Sequence, residues 1–392
     1  MPRVLHVLHA LNRGGVEKWL LDVLRSTPPG SWSTEFLVHT TEPAAYDAQA
    51  RALGAVLRVG PDTRQPLRYV SRLRQLLLEH GPYDVVHSHL HLFSGFVLRA
   101  AHRAGVPVRI AQSNTTEPVS GAGRTMYAAL MRHWIRQHAT HRMGISAQSA
   151  AALFGADWRT QPHTGILHCT LDFSAYARLA PRAALRQELG LPGDRIIIGH
   201  VGRLDPVKNH RFLVEAFAEL VRLGVDAQLL LVGTGPLESA VRRHVDALGL
   251  TPRCTFAGGT DHVAPFFGAM DLMLFPSVYE GLALAPLEAQ AADVPVLASH
   301  AVPPEAEVVR ERLHRLPLEA GPGAWARVAR QILATARLPD RAAAAGALQA
   351  SRFGVAQSIE HMARLYGATL PDTAPPPRAA PPPPSRLREA VP

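Results

Sequence analysis

Short apolar runs alternate with amphipathic stretches of helical period along most of this chain, and the series occurs twice. In the first half, strand-like runs stand at residues 4–9, 35–39, 84–89 and 106–111, with another near 142–146. Helical patterns separate them, clearest over 66–80, where Val70, Leu73 and Leu77 recur at helical spacing. The series restarts near residue 195 with Ile196, Ile197 and Ile198, then continues through 229–232, 254–256, 272–275 and 294–298. Helical segments at 209–223 and 237–248 lie between these runs. Short apolar strands divided by helices of about 10–15 residues form βαβ units and largely parallel sheets covered by helices. The repeat predicts an α/β chain of two doubly wound domains facing across a cleft. Their expected bounds are 1–180 and 190–352, followed by a terminal helix at 353–368 that packs back toward the first domain.

The end of the chain departs from this pattern. Nine prolines fall within residues 371–392, which excludes helix interiors and regular sheet there. Residues 370–392 are expected to form a disordered, proline-rich tail, either passive or a ligand for a proline-binding module. The two cysteines are too few for a disulfide framework or a four-cysteine zinc site. A net charge of +9 raises the question of polyanions, but the basic residues form no run of five or six, so no nucleic-acid partner is expected. Only Lys18 and Lys208 are lysines, and only Asn12, Asn114 and Asn209 are asparagines, a bias that looks like GC-rich coding. No apolar stretch reaches the roughly 18–20 residues of a membrane span. Met1 leads directly into a strand-like run without a signal-peptide pattern, so a cytoplasmic protein is expected.

Three connections carry residues suited to anions and sugars. After the first strand comes Asn12-Arg13-Gly14-Gly15-Val16-Glu17-Lys18, where paired glycines let backbone N–H groups approach an anion at a helix start. An ordinary βα turn is the plainer reading. After the 196–198 strand, Gly202-Arg203-Leu204 leads to Lys208-Asn209. Two cations between a strand end and a helix start can compensate two phosphates, arginine as a fixed fork and lysine as a mobile point charge. Val232-Gly233-Thr234-Gly235-Pro236 closes the next strand, and its glycines can bring backbone to the same ligand. Neither a Walker A loop nor a GxGxxG fingerprint is present.

The strongest local signal is Glu280-Gly281-Leu282-Ala283-Leu284-Ala285-Pro286-Leu287-Glu288. Two carboxylates with seven residues between them span a strand end and the helix after it. Carboxylates accept paired hydrogen bonds from adjacent sugar hydroxyls, while the N–H groups of Leu282, Ala283 and Leu284 can meet a phosphate or sugar oxygen. A salt-bridged surface helix explains neither the glycine nor the apolar flank.

On these residues the chain resembles the retaining GT-B glycosyltransferases of family 4 over about residues 1–368. The resemblance rests on Gly14-Gly15, Gly202-Arg203 to Lys208-Asn209, Gly233-Thr234-Gly235 and the E-x7-E pair Glu280/Glu288. Asn12–Glu17 and His87-Ser88-His89 look most like its EpsF-like exopolysaccharide and natural-product branch. The resemblance implies a GT-B fold with two Rossmann-like domains. It implies a nucleoside-diphosphate sugar as co-substrate, UDP before GDP, held by the second domain, with no cofactor and no obligatory metal. Arg203 and Lys208 would neutralise the diphosphate, Glu288 bind the ribose, and Glu280 the donor sugar. Gly202, Gly233, Gly235, Gly281, Leu282, Ala283 and Leu284 would line the donor, and Gly14-Gly15 would close over the diphosphate. The first domain would carry a hydroxyl acceptor.

In one place the chain departs from the family. Where relatives commonly have a histidine after a first-domain strand, this sequence reads Gln112-Ser113-Asn114-Thr115, which puts Asn114 at that catalytic position. Asn114 can donate and accept hydrogen bonds but cannot carry charge. Either the histidine's role is dispensable or His89 or His91 points into the cleft instead. With Glu17, Gln112 and Thr115, these histidines are the expected acceptor or cleft contacts. As zinc ligands, His87, His89 and His91 lack identifiable partners, so no metal site is assigned. Residues 124–142 set Tyr127, Leu130, Met131, Trp134 and Ile135 among arginines. Core packing explains that face, and weak peripheral contact with an anionic membrane is a second use for it.

The function expected is therefore transfer of a hexose or N-acetylhexosamine from a nucleotide sugar to a hydroxyl of a small-molecule, natural-product or glycan acceptor. A nucleotide-sugar epimerase of related fold and a non-catalytic sugar-nucleotide-binding scaffold are the alternatives. The oligomeric state is open.

Overall fold

The computed structural model describes residues 1–335 and 337–371; most of the expected proline-rich tail lies outside the described residues. The chain divides into two compact units. The first comprises residues 1–171 with the described residues from 352 onward, and the second Asp172–Ser351.

The first unit is built on seven parallel strands, β1 (Arg3–Val7), β2 (Ser33–Val38), β3 (Val56–Val59), β4 (Val85–Ser88), β5 (Val108–Ser113), β6 (His141–Gly144) and β7 (Thr164–Ile166). Their order, β3-β2-β1-β4-β5-β6-β7, starts at the middle and winds outward both ways, which requires helical crossovers on both faces. Leu5, Val7, Leu37 and Val86 project from the central strands into a core shared with Val70, Leu73 and Leu77 of the helix Pro66–His80. These three helical residues stand at the spacing that places one face inward.

The second unit repeats the plan with six parallel strands, β8 (Ile196–Val201), β9 (Ala227–Val232), β10 (Cys254–Phe256), β11 (Leu272–Phe275), β12 (Val296–Ala298) and β13 (Leu313–Arg315), in the order β10-β9-β8-β11-β12-β13. Ile198, Leu229, Leu231, Leu272, Leu274 and Leu297 form one covered face, packed with Leu213, Phe217 and Leu220 of the helix His210–Arg222 and with Trp325. Each such side chain contributes about 1.5–3 kcal/mol on burial.

The last described helix, Val355–Tyr366, belongs to the first unit. Leu171 N donates to Phe353 O at 2.9 Å and Val355 N to Leu171 O at 3.1 Å. Trp19 Nε1 donates to Ser358 Oγ at 2.9 Å, and Tyr366 OH lies 2.9 Å from His87 Nδ1. Among the described residues, no helix is long and apolar enough to cross a membrane.

Candidate functional site

In the second unit, Gly202 N donates to Val232 O and Leu204 N to Thr234 O, both at 3.0 Å, so the turn after β8 lies against the turn after β9. This contact leaves no room for side chains. A Cβ on Gly233 would stand 2.1 Å from the Gly202 carbonyl oxygen, and one on Gly235 would stand 2.3 Å from that of Leu204. Gly233 also has a φ of +139°, which disfavours any L side chain. The structure thus gives both glycines a packing role that the sequence reading did not include.

Lys208 is held by its own turn. Asp205 Oδ1 accepts from Val207 N at 3.1 Å and Lys208 N at 3.3 Å, closing a single turn over Pro206–Lys208. Asn209 follows in the left-handed region (φ 53°, ψ 47°), starting the helix His210–Arg222. Asparagine tolerates that conformation better than most residues, which gives this rare residue a backbone reason. The Lys208 ammonium reaches Glu280 Oε1 at 2.6 Å, with side chains 19% and 10% exposed. It also stands 4.8 Å from the centroid of Phe275, on a ring face that attracts cations. Behind it, burial holds His200 well below the usual histidine range and His210 at about 4. Lys208 is therefore backed by neutral rings. Arg203 is exposed, and among the described residues its guanidinium makes no side-chain hydrogen bond or ion pair.

The loop bearing Glu280 is tied to the Lys208 turn by Val278 N donating to Val207 O at 2.8 Å. Gly281 and Leu282 are buried, and Ala283 takes φ 66°, ψ 80° at the start of the helix Leu284–Ala291. A non-glycine residue in this region costs on the order of 1–3 kcal/mol. Glu288, on that helix, is 8% exposed and accepts a hydrogen bond from Tyr176 OH at 2.8 Å. The two carboxylates thus engage different groups, Glu280 a lysine and Glu288 a tyrosine. Tyr176 lies in the connecting segment before the second series of strands, where no sequence pattern marks it.

In the first unit, Gly14 precedes the helix Gly15–Ser26 with extended backbone. A Cβ there would stand 2.3 Å from Glu17 Oε2, at the end of a side chain that can move. Glu17 therefore folds back over the glycine, and burial raises its pKa to about 7. Lys18 pairs with Asp22 at 2.7 Å, and Arg25 pairs with the same carboxylate at 2.7 Å, which gives this lysine a place in the helix's own ion-pair network.

The structure corrects two of the expected acceptor contacts. His89 is 8% exposed and Gln112 fully buried. His6 Nδ1 lies 3.0 Å from His89 Nε2, and His89 stacks on His87 with centroids 4.3 Å apart. Gln112 Nε2 donates to Leu167 O at 3.0 Å, and its Oε1 lies 3.3 Å from His87 Nε2. These side chains join β1, β4, β5 and the last helix inside the unit, so none presents a surface to an acceptor. The alternation of His87, His89 and His91 also ends with the strand. His91 lies in a single turn, His91–Phe93, with φ 48°, and burial lowers its pKa to about 4. His6, absent from the sequence reading, takes the third place.

Among the described residues, His6, His87 and His89 form a group whose ligand atoms lie within 4.8 Å of one another, close enough to share a metal ion. His87 engages both nitrogens, with Tyr366 and Gln112, and must release one to bind metal. Burial holds all three rings well below their usual pKa. The arrangement is that of a neutral hydrogen-bonded network. Asn114, half-buried after β5, donates from Nδ2 to His89 O at 3.2 Å, while its Oδ1 is buried without a partner among the described residues. Thr115 Oγ1 accepts from Glu117 N at 3.1 Å. On the helix Ala122–His138, Ala128, Met131 and Ile135 pack inward, whereas Met126, Tyr127 and Leu130 are exposed.

Comparisons with known proteins agree with this division. Residues 181–349 match the family described as "Glycosyl transferases group 1", and residues 3–164 match the "Glycosyl transferase 4-like domain". The putative glycosyltransferase EpsF of Bacillus subtilis (strain 168) is 31% identical over 340 residues, covering 86% of this chain and 88% of the relative. A D-inositol 3-phosphate glycosyltransferase of Streptomyces scabiei is 29% identical, over 74% of this chain and 69% of its own. The 2-deoxystreptamine glucosyltransferase of Streptomyces kanamyceticus is 30% identical, over 57% of this chain and 61% of its own. Among solved structures, Anabaena Alr3699/HepE in complex with UDP-glucose shares the fold with a TM-score of 0.75 at 19% identity, over 94% of this chain and 100% of that one.

Proposed function

This chain belongs to the GT-B glycosyltransferases of family 4, and from that premise we propose that it moves a hexose or N-acetylhexosamine from a UDP-sugar to a hydroxyl acceptor with retention of anomeric configuration. The observation that carries the reading is the pairing of Lys208 with Glu280 beside the exposed Arg203. It sets two cations suited to phosphates and a carboxylate suited to sugar hydroxyls on adjoining loops at the strand ends of one sheet. The donor belongs to the second unit. Lys208 exchanges Glu280 for a phosphate oxygen, Arg203 adds a second charge, Glu280 takes sugar hydroxyls, and Glu288, oriented by Tyr176, takes the ribose. As the anomeric carbon–oxygen bond breaks, Lys208 and Arg203 stabilise charge growing on the diphosphate. The acceptor oxygen bonds to the anomeric carbon from the same face, and its proton passes to a diphosphate oxygen.

The acceptor belongs to the first unit, with Asn114, Thr115, His91 and Glu17 as its candidate contacts. The names of the relatives support a UDP-hexose donor and a polyol or aminocyclitol acceptor. Any peripheral membrane contact falls to Met126, Tyr127 and Leu130, and co-sedimentation with anionic vesicles, lost on substituting all three by serine, tests it. The test of the main reading crosses UDP- and GDP-sugars with soluble and lipid-linked hydroxyl acceptors and reads the product anomer by NMR. Transfer from a UDP-hexose with retention supports it. An inverted product, GDP preference, or no transfer from any donor overturns the corresponding part.

A further inference from the structure

At the other end of the second sheet lies a group of arginines that the glycosyl-transfer reading does not use. Ile196 opens β8, while Asp271, Pro295 and Arg312 immediately precede β11, β12 and β13. Together with Arg182, Asp293, Leu333 and Arg337 they line a cavity of about 110 Å³, room for roughly three or four waters at about 30 Å³ each. The 202–204 turn stands at the opposite end of β8, six residues and thus about 20 Å away at roughly 3.3 Å per residue.

The carboxylates here are already taken. Asp271 accepts from Arg182 Nη1 at 2.7 Å, from Ile197 N at 2.7 Å, and from Arg186 Nη2. Asp293 accepts from Arg312 Nε at 2.6 Å and from Asp340 N at 2.7 Å, with Arg337 Nη2 at 3.8 Å from the same oxygen as Arg312. Four guanidiniums therefore face two carboxylates. Arg312 is 6% exposed, yet its Nη2 is buried with no partner among the described residues, and Arg182 Nε is in the same condition. Burial, with Arg186 and Arg312 nearby, lowers the pKa of Arg182 despite Asp271. A buried, charged donor without a protein partner beside surplus positive charge is costly, and a bound anion removes both costs at once.

We propose that this cavity is a second anion site, taking an oxyanion of the phosphate class on Arg312, Arg182 and Arg337. Planar guanidiniums suit the paired oxygens of such an ion. Two sources share that chemistry: free inorganic phosphate, and a phosphoryl ester whose remainder leaves past Arg337, which is 61% exposed. The site does not depend on the donor assignment.

Calorimetric titration of the whole chain with inorganic phosphate, and separately with glycerol 3-phosphate, at constant ionic strength tests it. A saturable site that persists when the donor site is disabled by Lys208→Ala is expected. Arg337→Ala, at the exposed mouth, is expected to weaken binding at least fivefold, Arg312→Met to abolish it, and Lys208→Ala to leave it unchanged. Should Arg312→Met fail to fold, Arg337→Ala alone decides. The relative affinity of the two ligands identifies the source. Absence of saturable binding, or binding that survives Arg337→Ala but is lost in Lys208→Ala, overturns the proposal.

Discussion

The Lys208 ammonium stands 2.6 Å from Glu280 Oε1, so the cation assigned to the diphosphate and the carboxylate assigned to the sugar are ion-paired with each other. The pair links the two loops and compensates both charges; in the proposed reading a donor then exchanges the partners. Removing one member costs the other its ion-pair partner in partly buried surroundings, so Lys208→Met is expected to destabilise the chain by about 1–3 kcal/mol, less than a fully buried pair would lose. The double variant Lys208→Met/Glu280→Gln removes both charges and is expected to regain much of that stability. Neither variant regains donor use. Urea unfolding beside UDP-sugar turnover checks this, and recovered activity in the double variant would contradict the donor role.

Tyr176 offers a cleaner separation of binding from chemistry. Its hydroxyl donates to Glu288 Oε1 at 2.8 Å in buried surroundings, and a hydrogen bond to a charged group is worth about 1.5–3 kcal/mol. On the proposal that Glu288 takes the ribose, away from the breaking bond, Tyr176→Phe is expected to raise the donor KM about tenfold while changing kcat less than threefold. Steady-state kinetics in donor concentration distinguish this from a loss confined to kcat, which would place Glu288 nearer the chemistry.

Glu17 makes stability depend on pH near neutrality. Burial raises its pKa from 4.5 to about 7 in the folded chain. A carboxyl with a raised folded pKa contributes stability that is present below about 4.5 and lost as pH rises through 7. Glu17→Gln keeps the shape without the titration. It is expected to match the wild-type chain near pH 4.5 and to exceed it by about 1–3 kcal/mol at pH 8. Urea midpoints across that range test the sign, and equal stability at pH 8 would mean that Glu17 is better solvated than its burial indicates.

Much of this fold is legible in the sequence because central parallel strands are buried on both faces and read as unbroken apolar runs. The strands that periodicity did not reveal, β3, β7 and β13, all stand at sheet edges and span three or four residues. Edge strands need no second apolar face, so Val-Leu-Arg-Val at 56–59 carries little signal. The same logic divides the site. Lys208, Glu280 and Glu288 are legible through spacing along the chain, because a strand end and the helix after it fix where side chains fall. Tyr176, His6 and Tyr366 are not, because they arrive from segments remote in sequence. His89 and Gln112 looked available because a polar side chain near a strand end reads the same whether it faces solvent or a buried network.

That network predicts acid sensitivity of the opposite sign. Burial lowers the pKa of His87 to about 3 and holds His6 and His89 well below 6.5. A histidine with a depressed folded pKa contributes stability that is present above about 6.5 and lost as pH falls toward 3. His87 alone is expected to cost about 1–2 kcal/mol between pH 7.5 and pH 5. His87→Gln offers an amide to Tyr366 without titrating and is expected to flatten that part of the profile. Fluorescence of Trp32, whose ring stands 5.5 Å from that of Tyr366, follows the region as it opens.

Asn114 is the first-unit residue proposed for a part in catalysis. Its Nδ2 is committed to the His89 carbonyl at 3.2 Å, while its Oδ1 is buried without a partner among the described residues. The amide is therefore held by one end with an acceptor left over. An acceptor in that condition can accept a hydrogen bond from a sugar hydroxyl, orienting the sugar without carrying charge. Asn114→Ala removes the acceptor and the tether together and is expected to lower kcat at least tenfold. Asn114→Asp keeps an acceptor but loses the donor to His89 O, setting a charged oxygen near that carbonyl, and is expected to be at least as impaired. If the residue only braced the loop, both variants would lose stability and keep kcat. Unfolding midpoints measured beside kcat on the true acceptor therefore decide between a group that touches substrate and one that holds the backbone after β5 in place.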